Sequence, residues 1–422
     1  MKRKLLKQIF SERRSNAWLI LELAIISAVM WWLTDFAWFC QTLRMMPMGL
    51  DTSNVVRIQL AEYGPSSPLY TERDYGIRTG AQGDTLSANA IERQMLMKRL
   101  REDPDVVAAT ASDQNSAPYN YNFYGNSYIP ADTSLHVTLN YSLNNFFVGD
   151  DYFKVFIPTG LRGESPERLD EIINDGTKMI VTSNLVQSGM PPEKLYNFEL
   201  DGGGRIKTIG AVVEPVRRAE YEYPWHATAF IKQISYYFDC IYVRTKPGRM
   251  EAFKATLSEM DKNLRVNGNV HITQVKDFRQ IRDALHRKDD AFQRNSIITM
   301  GFMLLTAFLG VLGTFWFRTQ ERAREIAVRK VAGAGNATVF RRLIGEGLLL
   351  LTIATVFAVG LDCLMVWQGL SIRGQESGIM WGQSFLEMGV VYLIMAAMVA
   401  AGILFPAYRA MKIDPAPTLR GE

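Results

Sequence analysis

Five carboxylates, Glu22, Asp35, Glu346, Asp362 and Glu387, stand in or beside otherwise apolar stretches of this sequence. An ionised carboxylate is costly in hydrocarbon, so such residues either serve a function such as a proton relay or sit near span ends and pair inside a bundle. Most of the five fall within two turns of an end, which favours the structural role. Four histidines, His136, His226, His271 and His286, are scattered, with none at metal-ligand spacing from a Cys or carboxylate. Three cysteines, Cys40, Cys240 and Cys363, form neither a disulfide framework nor a zinc spacing. Bulky Trp38 and Phe39 before Cys40 are wrong for lipoprotein cleavage. No G-x-x-x-x-G-K-[ST], G-x-S-x-G, H-E-x-x-H or EF-hand loop occurs. Asp201-Gly202-Gly203-Gly204 reads most simply as a turn. No catalytic residue, metal or cofactor is expected; the chain reads as a non-enzyme.

The elements that position these residues are mostly long and apolar. Four stretches reach the roughly 20 residues that a helix needs to cross hydrocarbon: 16–39, 295–317, 343–367 and 385–408. The first follows MKRKLLKQIFSERR, but it is too long for a signal core and lacks a small-x-small cleavage site, so a retained anchor is expected. Lys and Arg gather in the N-tail, in the link between the second and third spans, and in the C-tail. The positive-inside rule then places both termini in the cytoplasm and the large block between the first two spans outside. A net charge of +4, with basic residues clustered beside spans, argues against a nucleic-acid binder. Ala396, Ala397, Ala400 and Ala401 suit close helix packing in the fourth span.

The external block, 40–277, reads as two subdomains. VVRIQL, AIERQMLMKRLRED and VVAAT give strand, helix, strand, with Ile91, Met95 and Leu96 or Leu100 on the helix's apolar face. CIYVRT, GRMEAFKATLSEMDKNL and VHITQV repeat the pattern, so 40–114 and 236–277 should form one α/β subdomain. The segment 115–235 holds APYNYNFYGNSYIP and short alternating runs such as HVTLNYSL, MIVTSNLV and RIKTIGAVVEPV, the marks of a β-rich subdomain. Its tyrosines read as strand packing ahead of a ligand surface. Phe278, Ile281, Leu285 and Phe292 then share one helical face, and no proline interrupts the passage into the second span. A stalk helix, 278–294, is expected to enter the membrane there.

After the second span comes RTQERAREIAVRKVAGAG, residues 318–335. Ala323, Ile326, Ala327 and Val331 form a narrow stripe on a helix over 321–332, with Glu321, Arg322, Arg324, Glu325, Arg329 and Lys330 around it. Gly333 and Gly335 supply a stop, and Asn336 a cap for the next helix. Periodicity alone is equally consistent with an anchor on anionic lipid and with a docking helix for a cytoplasmic partner.

This run resembles the segment after the second span of MacB/FtsX-type ABC transporter permeases, which commonly reads R-T-x-E-R-x-x-E-I-G-I-R-K-A-L-G-A. Ala327 departs from its usual Gly, and V-A-G-A replaces A-L-G-A. The ending PAYRAMKIDPAPTLRGE is similar to the family's P-A-x-x-A-x-x-I-x-P-x-x-A-L-R-x-E. DDYFKVFIPTGLRGE and IKTIGAVVEPV are similar to stretches of the MacB-like periplasmic core domain. The resemblance implies a membrane protein with a cytoplasmic N-tail over 1–15 and four transmembrane helices. It places a large α+β extracytoplasmic domain of two subdomains between the first and second helices. An FtsX-like permease domain over 295–422 then follows. It implies a permease subunit of the inner (cytoplasmic) membrane that transmits ATP-driven motion to its external domain, to export or extract an antimicrobial, a peptide, or a lipoprotein or lipid. Glu321, Arg322, Arg324, Glu325, Ile326, Arg329 and Lys330 would couple to an ABC ATPase supplied in trans, which would bind the ATP. A second permease chain is implied, with a periplasmic adaptor and an outer-membrane channel as further partners. The alternative is an FtsX-like signalling scaffold that controls a cell-wall hydrolase.

Overall fold

The computed structural model describes residues 13–80, 85–120, 122, 124–132, 134, 137–139, 143–222, 226–233, 238–321, 323–333, 335–368 and 381–412, with side chains at 13–16, 263–267, 318, 329, 366 and 381–384 excepted. The chain divides into two units: 43–288, and a second made of 1–42 and 289–422.

Among the described residues, four helices lying wholly or mostly in the second unit are long and apolar enough to cross a membrane, over Ala17–Met45, Phe278–Glu321, Asn336–Met365 and Phe385–Met411. The helices that contain them are α1 (Arg13–Met45), α6 (Phe278–Glu321), α8 (Asn336–Trp367) and α9 (Trp381–Met411). The expected stalk and second span thus form one 44-residue helix, because no Pro or Gly pair interrupts Phe278–Asn295. The first span runs on past Phe39, since Gln41-Thr42-Leu43-Arg44 contains no helix breaker. Leu23, Met30, Ala307, Val311, Leu350, Leu351, Ala354, Met395, Val399 and Ile403 are buried in one shared apolar cluster. Where Gly347 stands, a Cβ would come within 2.1 Å of the Ile403 side chain, so the pair α8 and α9 approach closely there.

Among the described residues, the other unit is built on one 11-stranded sheet. β1 (Val55–Glu62), α2 (Ala88–Glu102) and β2 (Val106–Ser112) make the first strand-helix-strand unit. β12 (Cys240–Thr245), α5 (Met250–Asn267) and β13 (Val270–Asp277) make the second. Their strands interleave in the antiparallel order β13-β1-β12-β2, a split β-α-β layer with β12 inserted between β1 and β2. The other wing carries β6 (Leu143–Val148), β11 (Ala227–Lys232), β7 (Lys178–Thr182) and β10 (Ile206–Val213), with β11 parallel to β6 and β10 parallel to β7. The two wings share one sheet, joined where Ser112 of β2 pairs with Val148 of β6.

Between them α3 (Tyr152–Phe156) and α4 (Pro166–Asn174) cover the sheet. Tyr152, Phe153, Val155 and Phe156 are wholly buried, so DDYFKVF is a core segment. Tyr119 and Tyr128 of the tyrosine-rich segment are buried as well, while Tyr124 is exposed. Asp201-Gly202-Gly203-Gly204 turns the chain into β10, with the Asp201 carboxylate accepting from the Gly204 N–H at 2.6 Å.

Helix α2 corrects one expectation. Met95 is exposed, and the buried face runs through Arg93, Leu96, Met97 and Leu100, with Ile91 beside it. Arg93 belongs to that face because its guanidinium pairs with Glu62 and its Nε donates to the Phe238 carbonyl at 2.9 Å. Glu92, also buried, accepts the N–H groups of Asn269 and Val270 at 2.8 and 2.9 Å. A charged pair inside the helix face hides the apolar period.

Candidate coupling site

Helix α7 (Ala323–Val331) is a short, charged helix beside long apolar ones. Its end follows from Gly333, whose φ of +92° lies in the left-handed region that stops helices at little cost. Gly333 N–H donates to the Lys330 carbonyl at 3.0 Å, and Thr338 N–H to the Gly335 carbonyl at 2.9 Å as α8 begins.

The stripe expected on α7 is divided by packing. Ile326 and Ala327 are buried in the apolar cluster that also contains Phe315, Val339, Leu343, Ala407 and Ala410. Val331, at the far end of the stripe, is 67% exposed, and Val328 is 55% exposed. The inner part of the stripe therefore packs on the chain's own helices. The outer surface of α7 presents Arg324, Glu325, Val328 and Val331, with exposed Glu321 at the end of α6 just before it.

Two polar ties fix the helix. The Lys330 ammonium donates to the Met411 carbonyl at 2.6 Å, a cation at the C-terminus of α9 where the helix dipole favours it. Glu325 lies 3.8 Å from the Arg342 guanidinium of α8. Nearby, Arg409 stands 4.6 Å over the Trp316 ring, which stacks on Phe405. Among the expected coupling residues, Glu321, Arg324, Glu325, Ile326 and Lys330 thus gather on or beside α7. Arg322 and the side chain of Arg329 lie outside what the structure describes.

The stalk residues divide too. Phe278 and Ile281 are buried, with Leu285 against them, in the cluster that contains Phe156 and Tyr242. Phe292 instead meets Phe36 edge-on at 4.9 Å, inside the other unit.

Sequence reasoning missed Arg217. It is one of the largest wholly buried side chains, in the loop after β10. Its Nε donates to the Pro47 carbonyl at 3.0 Å, and its terminal nitrogens donate to Leu43 at 2.8 Å, Glu220 at 2.9 Å, Glu222 at 3.3 Å and Met46. Leu43 lies in the last turn of α1 and Met46 just beyond it, so the guanidinium caps carbonyls at a helix end, where the next turn's N–H groups are missing. Burial pulls the Arg217 pKa below its ordinary value, while Glu220 and Glu222 act the other way. Gly49 permits the close approach of the two segments: its φ is +78°, and a Cβ there would fall 2.2 Å from the Pro215 carbonyl oxygen. The same loop reaches α6, where Glu220 pairs with Arg282 at 2.5 Å and its N–H points to His286 Nε2 at 3.5 Å. The sequence signal was present as a buried-looking EPV before two arginines, but its acceptors are backbone atoms.

The remaining candidates are packing residues. His271 stacks on Tyr63 at 4.1 Å, and His286 lies edge-on to Tyr221 at 4.8 Å; His136 lies outside the described residues. The Cys240 thiol is buried and pushed up to about 11, which leaves it unreactive. Among the described residues, no three His, Cys, Asp or Glu side chains come together as metal ligands.

Residues 297–415 match the model of the FtsX-like permease C-terminal domain. This part of the chain is an FtsX-like permease domain. Its matched range takes in most of α6 beyond the stalk residues, all of α7 and α8, and α9. The chain is similar to the ABC transporter permease YknZ of Bacillus subtilis, 31% identical over 122 residues, or 29% of this chain and 30% of that one. It is also similar to the pyoverdine export ATP-binding/permease protein PvdT of Pseudomonas fluorescens strain Pf0-1, 24% identical over 155 residues, 35% of this chain and 22% of that one. The chain thus spans less than a third of the length of these relatives. Two solved structures resemble it at a TM-score of 0.32. One is the periplasmic region of MacB from Actinobacillus actinomycetemcomitans, at 10% identity over 58% of this chain and 98% of that one. The other is the extracellular domain of YknZ from Gram-positive bacteria, at 11% identity over 52% and 100%.

Proposed function

We propose that the chain is a permease subunit of an ABC transporter and that α7, with Glu321 before it, is where a separate cytoplasmic ATPase docks. The observation that carries this reading is the FtsX-like permease domain, in which α7 presents Glu321, Arg324, Glu325, Val328 and Val331 outward while Ile326 and Ala327 lock it to its neighbours. A helix held by packed side chains moves its neighbours when it moves. Force on α7 would pass to α9 through Lys330 and Met411, to α8 through Glu325 and Arg342, and to α6 through Phe315.

α6 would carry that motion outward, since it holds both the span and the stalk residues Phe278 and Ile281 in one helix. The external unit would then act on the exported or extracted substrate, an antimicrobial, a peptide, or a lipoprotein or lipid. Two permease chains per complex, with both termini in the cytoplasm of the inner membrane, complete the reading. The basic residues of the α7 segment support that orientation. Affinity purification of the tagged chain from its native membranes tests it. An ATP-binding cassette protein should co-purify and hydrolyse ATP in the complex, and recovery of the chain with no such protein would overturn the reading.

A further inference from the structure

Within the apolar stretches of the membrane unit the ionisable side chains are acidic. The stretches 17–43, 295–317, 343–367 and 385–408 hold Glu22, Asp35, Glu346, Asp362 and Glu387, and no Lys, Arg or His. A carboxylate inside hydrocarbon is favoured as a neutral acid or beside a group that offsets its charge. Asp35 of α1 and Asp362 of α8 are both 2% exposed, and close enough to act on each other electrostatically.

Beside Asp362 lies a cavity of about 20 Å3, lined by Ser27 and Trp31 of α1, Thr355 and Asp362 of α8, and Val391 and Tyr392 of α9 among others. That is room for one water, which needs about 10–15 Å3. Three buried polar atoms of its lining, Ser27 Oγ, Trp31 Nε1 and Asp362 Oδ1, have no hydrogen-bond partner among the described residues. The set suits a water: its oxygen would accept from the indole N–H, and its hydrogens would reach the Asp362 and Ser27 oxygens. A metal ion fits badly. The indole offers only a donor, and hard cations require six or more oxygen ligands.

We propose that Asp362, with Asp35 beside it, is a proton-binding site within the spans, served by one water held between Asp362, Ser27 and Trp31. Loading moves one proton from a hydronium ion to a carboxylate oxygen and leaves the water in place; unloading reverses this, and no other bond changes. The titratable groups around it are few. α1 contributes Asp35, with Cys40 further along near Asp289 of α6. α8 contributes Glu346 several turns away, and α9 contributes Glu387 and Tyr392, whose hydroxyl lies 3.1 Å from Thr352 Oγ1. Phe36, next to Asp35, faces Phe292 of α6, and Thr34 faces Met300. The site gives the membrane unit a way to sense protons at the level of Asp35 and Asp362.

Infrared titration of the full chain in lipid nanodiscs, between about pH 5 and 9, tests this, with every sample, the wild type at the site included, carrying Asp170→Asn so that the other carboxyl titrating in that window is absent. The wild type should lose one carboxylic-acid carbonyl band as pH rises. Asp362→Asn should lack that band at every pH, Asp35→Asn should displace its midpoint, and Glu387→Gln should keep it unchanged. Asp362→Glu covers the case in which the Asn variant fails to fold: a displaced midpoint supports the site, and an unchanged one overturns it. A wild type without a titrating band, a band that survives Asp362→Asn, or one removed by Glu387→Gln overturns the proposal. The readout involves no ATPase, so its failure leaves the coupling reading untouched.

Discussion

Arg217→Met replaces a buried guanidinium by an apolar chain of similar length and removes five donated hydrogen bonds at one stroke. Summing five charge-assisted bonds would overshoot, because the loop can relax and admit water. The closer guide is loss of one partner from a buried charged network, about 3–5 kcal/mol. For a domain the size of residues 43–288, each kcal/mol is worth about 2–4 °C, so a fall of about 6–20 °C in the melting temperature of that unit is expected. Arg217→Lys keeps a charge and three donors on a compact head, and should fall between the variant and the wild type. Arg168, exposed and paired with its helix neighbour Glu171, is the control, and its replacement by Met should stay within about 0.5 kcal/mol. The assay is thermal unfolding of the detergent-solubilised full chain by near-ultraviolet circular dichroism. A shift in Arg217→Met no larger than that of the Arg168 control would refute the capping account. The carbonyls at the end of α1 would then be satisfied without the guanidinium.

Three further outcomes are expected. Asp170 is buried, and desolvation raises its carboxyl to about 6 although it accepts the N–H groups of Phe153 and Lys154. The folded state therefore holds this proton more tightly than the unfolded one: the stabilisation is fully present below about pH 4 and is lost as pH rises through about 6, a change of about 3 kcal/mol. Asp170→Asn should flatten the pH dependence of the melting temperature across that window. Gly49→Ala should destabilise the external unit by more than the 1 kcal/mol or so typical of a point mutation, since it meets both a positive φ and the Pro215 carbonyl; a chemical-denaturation midpoint reads it. Ala327→Leu should cost about 1–3 kcal/mol by overpacking the cluster under α7, seen as a lowered melting temperature of the membrane unit.

Much of the architecture was legible because it is written in local patterns. Apolar runs of the right length became the long helices, and β1, α2, β2 and β12, α5, β13 follow from alternation and helical period. What was not legible depends on partners distant in sequence. The order β13-β1-β12-β2 and the junction at Ser112 and Val148 join strands whose pairing no local period encodes. Arg93 and Glu92 defeated the reading of α2 because a charge counts as solvent-facing until Glu62 and the Asn269 backbone are in view. Arg217 was hidden for the same reason, its acceptors being main-chain oxygens. On α7 the period set Ala323, Ile326, Ala327 and Val331 along one stripe. It could not say that Ile326 and Ala327 turn toward the chain's own helices while Val331 faces outward, since both faces have the same spacing.

The central claim is that α7 is the docking handle for an ATPase in trans. The most direct measurement is affinity of the purified chain in nanodiscs for the ATP-binding cassette protein that co-purifies with it, comparing wild type with Glu325→Lys and with Arg322→Glu. Loss of one charge-paired contact worth about 1.4 kcal/mol weakens binding tenfold, and reversal into a like charge costs more. The account predicts at least that loss in both variants, with stimulated ATP hydrolysis falling in step while the melting temperature of the chain stays near the wild-type value. Wild-type affinity and hydrolysis in both variants would contradict it.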